Sequence, residues 1–149
     1  MTTPTAAPVL PYVPAAVRAY LLDAPVFTGL VPPSRIVVDA QPDTVTTPFA
    51  VIRCPPAVPI EASAGVWLPL VQVEGYAPPG GQQDPRTVVW RIAAAAAAVL
   101  SRARNVPYES MHWRGRVVDG PLTDVDTSRG TSAPLYRALI RAELRCHVR

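Results

Sequence analysis

The chain has 149 residues, about half of them apolar, with a formal net charge of +3 and nineteen prolines, well over twice the usual proline share of ~5%. That length suits one domain with a real core, and the high apolar fraction and small charge exclude intrinsic disorder. No apolar run reaches the ~18 residues of a helical membrane span, and two cysteines, Cys54 and Cys146, cannot build a disulfide framework.

Proline breaks helix interiors and removes ladder donors from central strands, so its spacing maps where regular structure can form. Residues 1–11, with Pro4, Pro8 and Pro11, read as an extended arm. The remainder, 12–149, reads as a single domain. A first helix is predicted over Pro14–Asp23, with Val17, Tyr20, Leu21 and Ala24 at helical spacing and Pro25 helping to stop it. Short strands follow at Arg35–Asp39 and at Phe49–Cys54, the latter bounded by Pro48 and Pro55. Leu68–Tyr76 alternates as a strand, with Gln72 and Glu74 on one face and Pro69 marking an edge or bulge.

The main helix is predicted in the longest proline-free interval. Asp84 is the N-cap and Pro85 the first helical residue, followed by six consecutive alanines, Ala93–Ala98. Alanine is the strongest helix former, and its small side chain lets a helix approach a sheet closely. A weaker strand at Arg114–Val118 runs into an Asp119-Gly120 turn signal, and Thr123–Ala133 reads as a polar loop without strand or helix pattern. The last segment alternates from Tyr136 to Val148, with Arg137, Arg141, Glu143, Arg145 and His147 between apolar positions and only Leu139 breaking the pattern. Period two over that length describes a long, half-buried strand. The fold class expected is α+β: a mostly antiparallel sheet of four to five strands with two helices packed on it.

The charge is uneven. Residues 101–149 hold nine of the fourteen arginines, and the chain has no lysine. These arginines are interleaved with Asp119, Asp124, Asp126 and Glu143, the pattern of a mixed solvated surface. No metal-ligand spacing is present. Glycines 75, 80 and 81 precede the main helix but match no phosphate-loop spacing, and the Asp84 carboxylate would repel an anion there. A nucleophile pair of Cys54 with His112 or His147 is the one catalytic arrangement the residues permit. No basic segment followed by an apolar run opens the chain, so no secretory leader is expected.

Four segments carry a resemblance to a known family. They are VRAYLLDAPVFTGLV, the proline-opened PFAVIRC, the pair LVQVEGYAPP and DPRTVVWRIAAAAAAVL, and the arginine-alternating C-terminal strand. In order and pattern, over residues 12–149, the chain resembles the tail terminator (tail-completion) proteins of long-tailed bacteriophages. The resemblance implies a structural, non-enzymatic protein without cofactor. Such a protein forms a ring, typically six-fold, at the tail–neck junction of the virion, after assembly in the host cytoplasm. It stops tube polymerisation and offers the head–neck connector a surface, while DNA passes through the lumen without being read. Its partners would be further copies of itself, the tail tube protein and the connector. On this reading the candidate assembly residues are Tyr76, Gln82, Gln83, Asp84, Asp124, Asp126 and Arg129, and the candidate lumen or subunit-contact arginines are Arg137, Arg141 and Arg145. The competing readings are another head–tail connector, a small cysteine-dependent enzyme, and a nucleic-acid binder using the arginines of 102–149.

Overall fold

The computed structural model describes residues 9–56 and 58–149. The expected arm therefore falls mostly outside the described residues. Of its last part, Val9 is exposed, Leu10 packs against the core and Pro11 is buried.

The described residues fold as α+β, with three α-helices and a mixed, curled sheet of eight strands. Helix α1 spans Val13–Leu22, with Pro14 in its first turn. Pro25 ends α1 by opening a second short helix, α2, Pro25–Thr28, consistent with the fit of proline to a first helical turn. Strand β1, Ile36–Val38, pairs in parallel with β2, Phe49–Arg53. Strands β3, Glu61–Ser63, and β4, Val66–Leu68, form a hairpin. Its turn residues, Ala64 and Gly65, both take positive φ, as the tightest hairpin turns require.

Strand β5, Leu70–Ala77, continues from β4 across Pro69, and both pair with the last strand. The expected irregularity at Pro69 is therefore present as the break between two strands. Helix α3, Pro85–Leu100, begins where predicted, with the Asp84 carboxylate accepting a hydrogen bond from the Arg86 amide at 3.0 Å. Strand β6, Val106–Tyr108, then leads into β7, Met111–Asp126, and β8, Leu135–Val148. The last two strands form a long antiparallel hairpin.

Sheet order runs β1-β2-β5-β8-β7-β6, with β4 extending β5 along β8 and β3 beyond β4. Three sequence expectations are corrected. The sheet has eight strands instead of four or five, because three-residue strands such as β3, β4 and β6 are too short to show a period of two. It is mixed, because the Asp39–Pro48 connection returns the chain alongside β1. Asp119-Gly120 is not a turn, and Thr123–Asp126 is not loop: both lie inside β7, which crosses Asp119-Gly120 through two register shifts between Val117 and Leu122 and then pairs regularly over Thr123–Asp126. The polar residues Thr123, Asp124 and Asp126 are held in strand form by Ala138, Arg137 and Leu135 on β8.

The helices cover one face of the sheet. Val71, Val73, Ala138, Ile140, Ala142 and Leu144 meet Val89, Ile92, Ala93, Ala96 and Leu100 of α3 in one buried cluster. Close approach explains the alanine run. At Gly75 a Cβ would lie 2.7 Å from Ile92, and at Gly115 it would lie 2.6 Å from the Leu100 carbonyl oxygen. Trp113 joins this core, with Tyr20 edge-on to it at 5.3 Å between ring centres. Among the described residues, no helix is long and apolar enough to cross a membrane.

Candidate functional site

The second face of the sheet is polar, and register defines its layout. Residues directly opposite in an antiparallel pair share a face. Along β8 and its neighbours this face therefore presents five successive rungs: His112 with His147, Arg114 with Arg145, Arg116 with Glu143, Asp119 with Arg141 and Gln72, then Leu122 with Leu139 and Glu74. Asp124, Arg137 and Tyr76 come next.

The centre of this face is a buried ion network. Glu74 is only 1% exposed. Its Oε2 accepts hydrogen bonds from Arg137 Nη1 at 2.8 Å and the Tyr76 hydroxyl at 2.9 Å. Arg53 Nε lies 2.5 Å from Oε1 as an ion pair, but not at hydrogen-bonding angles. Arg137 also forks onto both oxygens of Asp124. Phe49 stacks on Tyr76 at 4.8 Å and, with Val51 and Leu135, roofs one side. Burial and the Glu74 charge push the Tyr76 hydroxyl up in pKa. Asp124 leads the causes that raise the Arg137 guanidinium.

The expected assembly residues divide between exposed and engaged positions. Gln82 and Gln83 are exposed and line an open cleft of about 450 Å³ with Leu30, Pro48 and Pro79. Asp84 is exposed but caps α3. Tyr76 does not belong to that loop: it lies inside β5, 1% exposed, because the strand runs on to Ala77. Asp124 is held by Arg137. Asp126 accepts from Gln41 Nε2 and from the Ser128 amide, each at 2.8 Å. Burial pushes its carboxyl up in pKa, but these bonds outweigh that and leave it low. Arg129 donates to the Asp43 carbonyl at 2.9 Å and to Gln41 and the Pro42 carbonyl, tying the β7–β8 turn to the β1–β2 connection. Arg137 and Arg141 are likewise engaged within the chain, Arg141 by Gln72 at 2.9 Å and Asp119 at 3.5 Å. Of the three candidate contact arginines, Arg145 alone is exposed and free of an ion pair among the described residues.

Two features escaped the sequence reading. Beyond Trp113 the outer edge of β7 has no strand partner among the described residues. Beside it lies a groove of about 440 Å³ between α3 and upper β7, where Trp90 and Val125 are each 49% exposed. Arg86 covers the Tyr136 ring at its rim, 5.3 Å away. The other feature is the pairing of the two histidines, whose rings stack at 4.9 Å and 1° from parallel. His147 shows in the sequence as a polar-face residue, but only the β7–β8 register reveals its partner.

The thiols are placed for packing. Cys146 is buried, and burial, with Cys54 nearby, pushes its pKa from 9.0 up to about 12. Burial, with Asp39 adding, raises the Cys54 thiol as well. Tyr12, donating to Asp39, is raised from 10.0 to about 12, first by that hydrogen bond. The histidines face the opposite side of the sheet from Cys146 and stack on each other. Among the described residues, no group of three or more His, Cys, Asp or Glu side chains is arranged to hold a metal ion.

These raised values fix a pH dependence. A folded state that holds protons more tightly than the unfolded chain keeps the full benefit below the unfolded pKa and loses it as pH rises through the folded one. The unfolding free energy is therefore expected to be level to pH 9.0 and to fall toward pH 12. Urea midpoints measured between those values check this, and Cys146→Ala should flatten the decline. A midpoint unchanged across the window would contradict it.

Comparison with known proteins adds no relative: no protein-family model matches the chain, and no curated protein does.

Proposed function

We propose that this chain is a tail terminator of a long-tailed bacteriophage, a structural protein that forms a ring on the finished tail tube. The ring, six-fold in the family it resembles, ends tube polymerisation and gives the head–neck connector its attachment surface. DNA passes through its lumen, and the protein works at the tail–neck junction of the virion. The order of elements supports this reading: opening helix, proline-led strand, strand, Gly/Pro loop, alanine-rich helix and long C-terminal hairpin.

The observation that carries the reading is the unpartnered outer edge of β7 beside the Trp90–Val125 groove. An open strand edge with apolar groups next to it is a pairing surface that isolated proteins usually blunt or cover. A ring needs a head-to-tail interface, in which this surface meets a different surface of the next copy. The Gln82–Gln83 loop lines a different cleft and is a surface for the tube or connector.

The purified protein, alone or with tail tubes, is therefore expected to give a ring-sized mass by light scattering. Trp90→Ala with Val125→Asp should shift that mass to a monomer while leaving the far-ultraviolet circular dichroism unchanged, since both side chains are half-exposed. A wild-type chain that stays monomeric even on tubes, or a double variant that still assembles, removes this interface.

A further inference from the structure

The ion network that neutralises the middle of the polar face stops short of one end. Among the described residues, the carboxylate pairs there are Arg116 with Glu143 at 3.6 Å and Arg141 with Asp119 at 3.5 Å. Arg114 and Arg145 sit directly opposite each other, both exposed, and among the described residues neither has a carboxylate in ion-pair contact. Like charges directly opposite across two strands are destabilising. The next rung holds the stacked pair His112 and His147, again without an acid. Arg104, close by, spends its Nη1 donor on the carbonyls of Ser101, Ala103 and Gly115, which hold it in place without neutralising it.

Two adjoining concavities share Arg114 and Arg145. One, of about 320 Å³, adds His112, His147 and Asn105. The other, of about 540 Å³, adds Arg104, Arg116 and a single carboxylate, Glu143. Four arginines thus face Glu143, and a second acid, the exposed Glu61, lines a further cavity with Arg145, so cations outnumber acids by four to two. Half-buried Leu68 and Val117 line the larger concavity and buried Trp113 the smaller, but no large, fully exposed apolar side chain lines either. Protein interfaces carry an apolar core depleted of charge, whereas nucleic-acid interfaces are more polar and much more positive.

We propose that the cationic end of the polar face, built on Arg104, Arg114, Arg116 and Arg145 with His112 and His147, binds the phosphodiester backbone of nucleic acid without reading sequence. Guanidinium forks suit phosphate oxygens. Adjacent rungs on one face stand about 7 Å apart, so cation pairs recur along the strands. The His112 and His147 imidazoles add N–H donors at the far rung. The site does not depend on the ring reading, because a single copy contains all of it.

The test is fluorescence anisotropy with a labelled mixed-sequence DNA duplex, titrated with the full chain from about 50 to about 200 mM salt. Each neutralised phosphate contributes a slope of about −0.9 in log affinity against log salt, so about three contacts give a slope near −3. Arg114→Gln with Arg145→Gln is expected to weaken binding at low salt by about tenfold or more and to reduce the slope by about 2. Arg91→Gln, an exposed α3 arginine outside the site, should change neither. The double variant should melt no lower than wild type, since it removes a like-charge pair. Absence of binding at low salt, or a double variant with unchanged affinity and slope, would overturn the proposal. Polyglutamate competing as well as unlabelled DNA would overturn it too, assigning the surface to an acidic protein.

Discussion

Glu74→Ala is expected to lower the unfolding free energy by about 3 kcal/mol. Removing one member of a buried ion pair typically costs ~3–5 kcal/mol, because the remaining charges stay desolvated. Here one carboxylate serves Arg53, Arg137 and the Tyr76 hydroxyl. The lower end applies because the arginine side chains are 30% and 26% exposed and can reach water. Arg137 also keeps Asp124. For a domain held by ~5–15 kcal/mol this is a large share, so the urea midpoint should fall well outside error with the slope unchanged. Replacing Glu74, Arg53 and Arg137 together by apolar residues of similar size should recover much of the loss, since an apolar core often matches a buried ion network. A single variant that loses less than about 1 kcal/mol would show that the network is solvated in solution.

Gly115→Ala is expected to cost about 3 kcal/mol, for a different reason. Its Cβ would stand 2.6 Å from the Leu100 carbonyl oxygen, which is backbone and cannot rotate away. That carbonyl also accepts from the Ala103 amide at 3.1 Å, and the Ala103 carbonyl accepts from the Gly115 amide at 3.2 Å. A methyl group here must lift the end of α3 from the sheet, an overpacking whose usual cost is ~1–3 kcal/mol. Gly81→Ala is the matched control, because its Cβ would meet nothing nearer than 3.9 Å. Thermal unfolding of the two variants separates the readings: a large drop at Gly115 with none at Gly81 supports the close approach, and equal shifts contradict it.

The strongest local signals in the sequence correspond to real elements. Pro85 and the alanine run specify α3 through propensity and capping alone, and the alternation from Tyr136 to Val148 specifies β8. What escaped is non-local. The upper half of β7 reads as loop because Asp119, Asp124 and Asp126 are poor strand formers, and their partners, Arg141, Arg137 and Gln41, lie elsewhere in the chain. For the same reason Asp126 and Arg129 look like free loop residues, although they fasten the β7–β8 turn to the β1–β2 connection. The apparent surplus of arginine in the last third resolves into two populations once register is known. Arg137 and Arg141 complete the fold, while Arg114 and Arg145 confront each other without an ion-pair partner among the described residues. Trp90 sits on the exposed side of α3, and only the neighbouring Val125, far away in the chain, makes a groove there.

Electron microscopy of tails assembled without this chain tests its proposed role in ending tube growth. Tails of variable, excessive length, unjoined to heads, are expected, with normal length restored when the chain is supplied. Tails of uniform normal length, carrying heads and fully infectious in its absence, would contradict it.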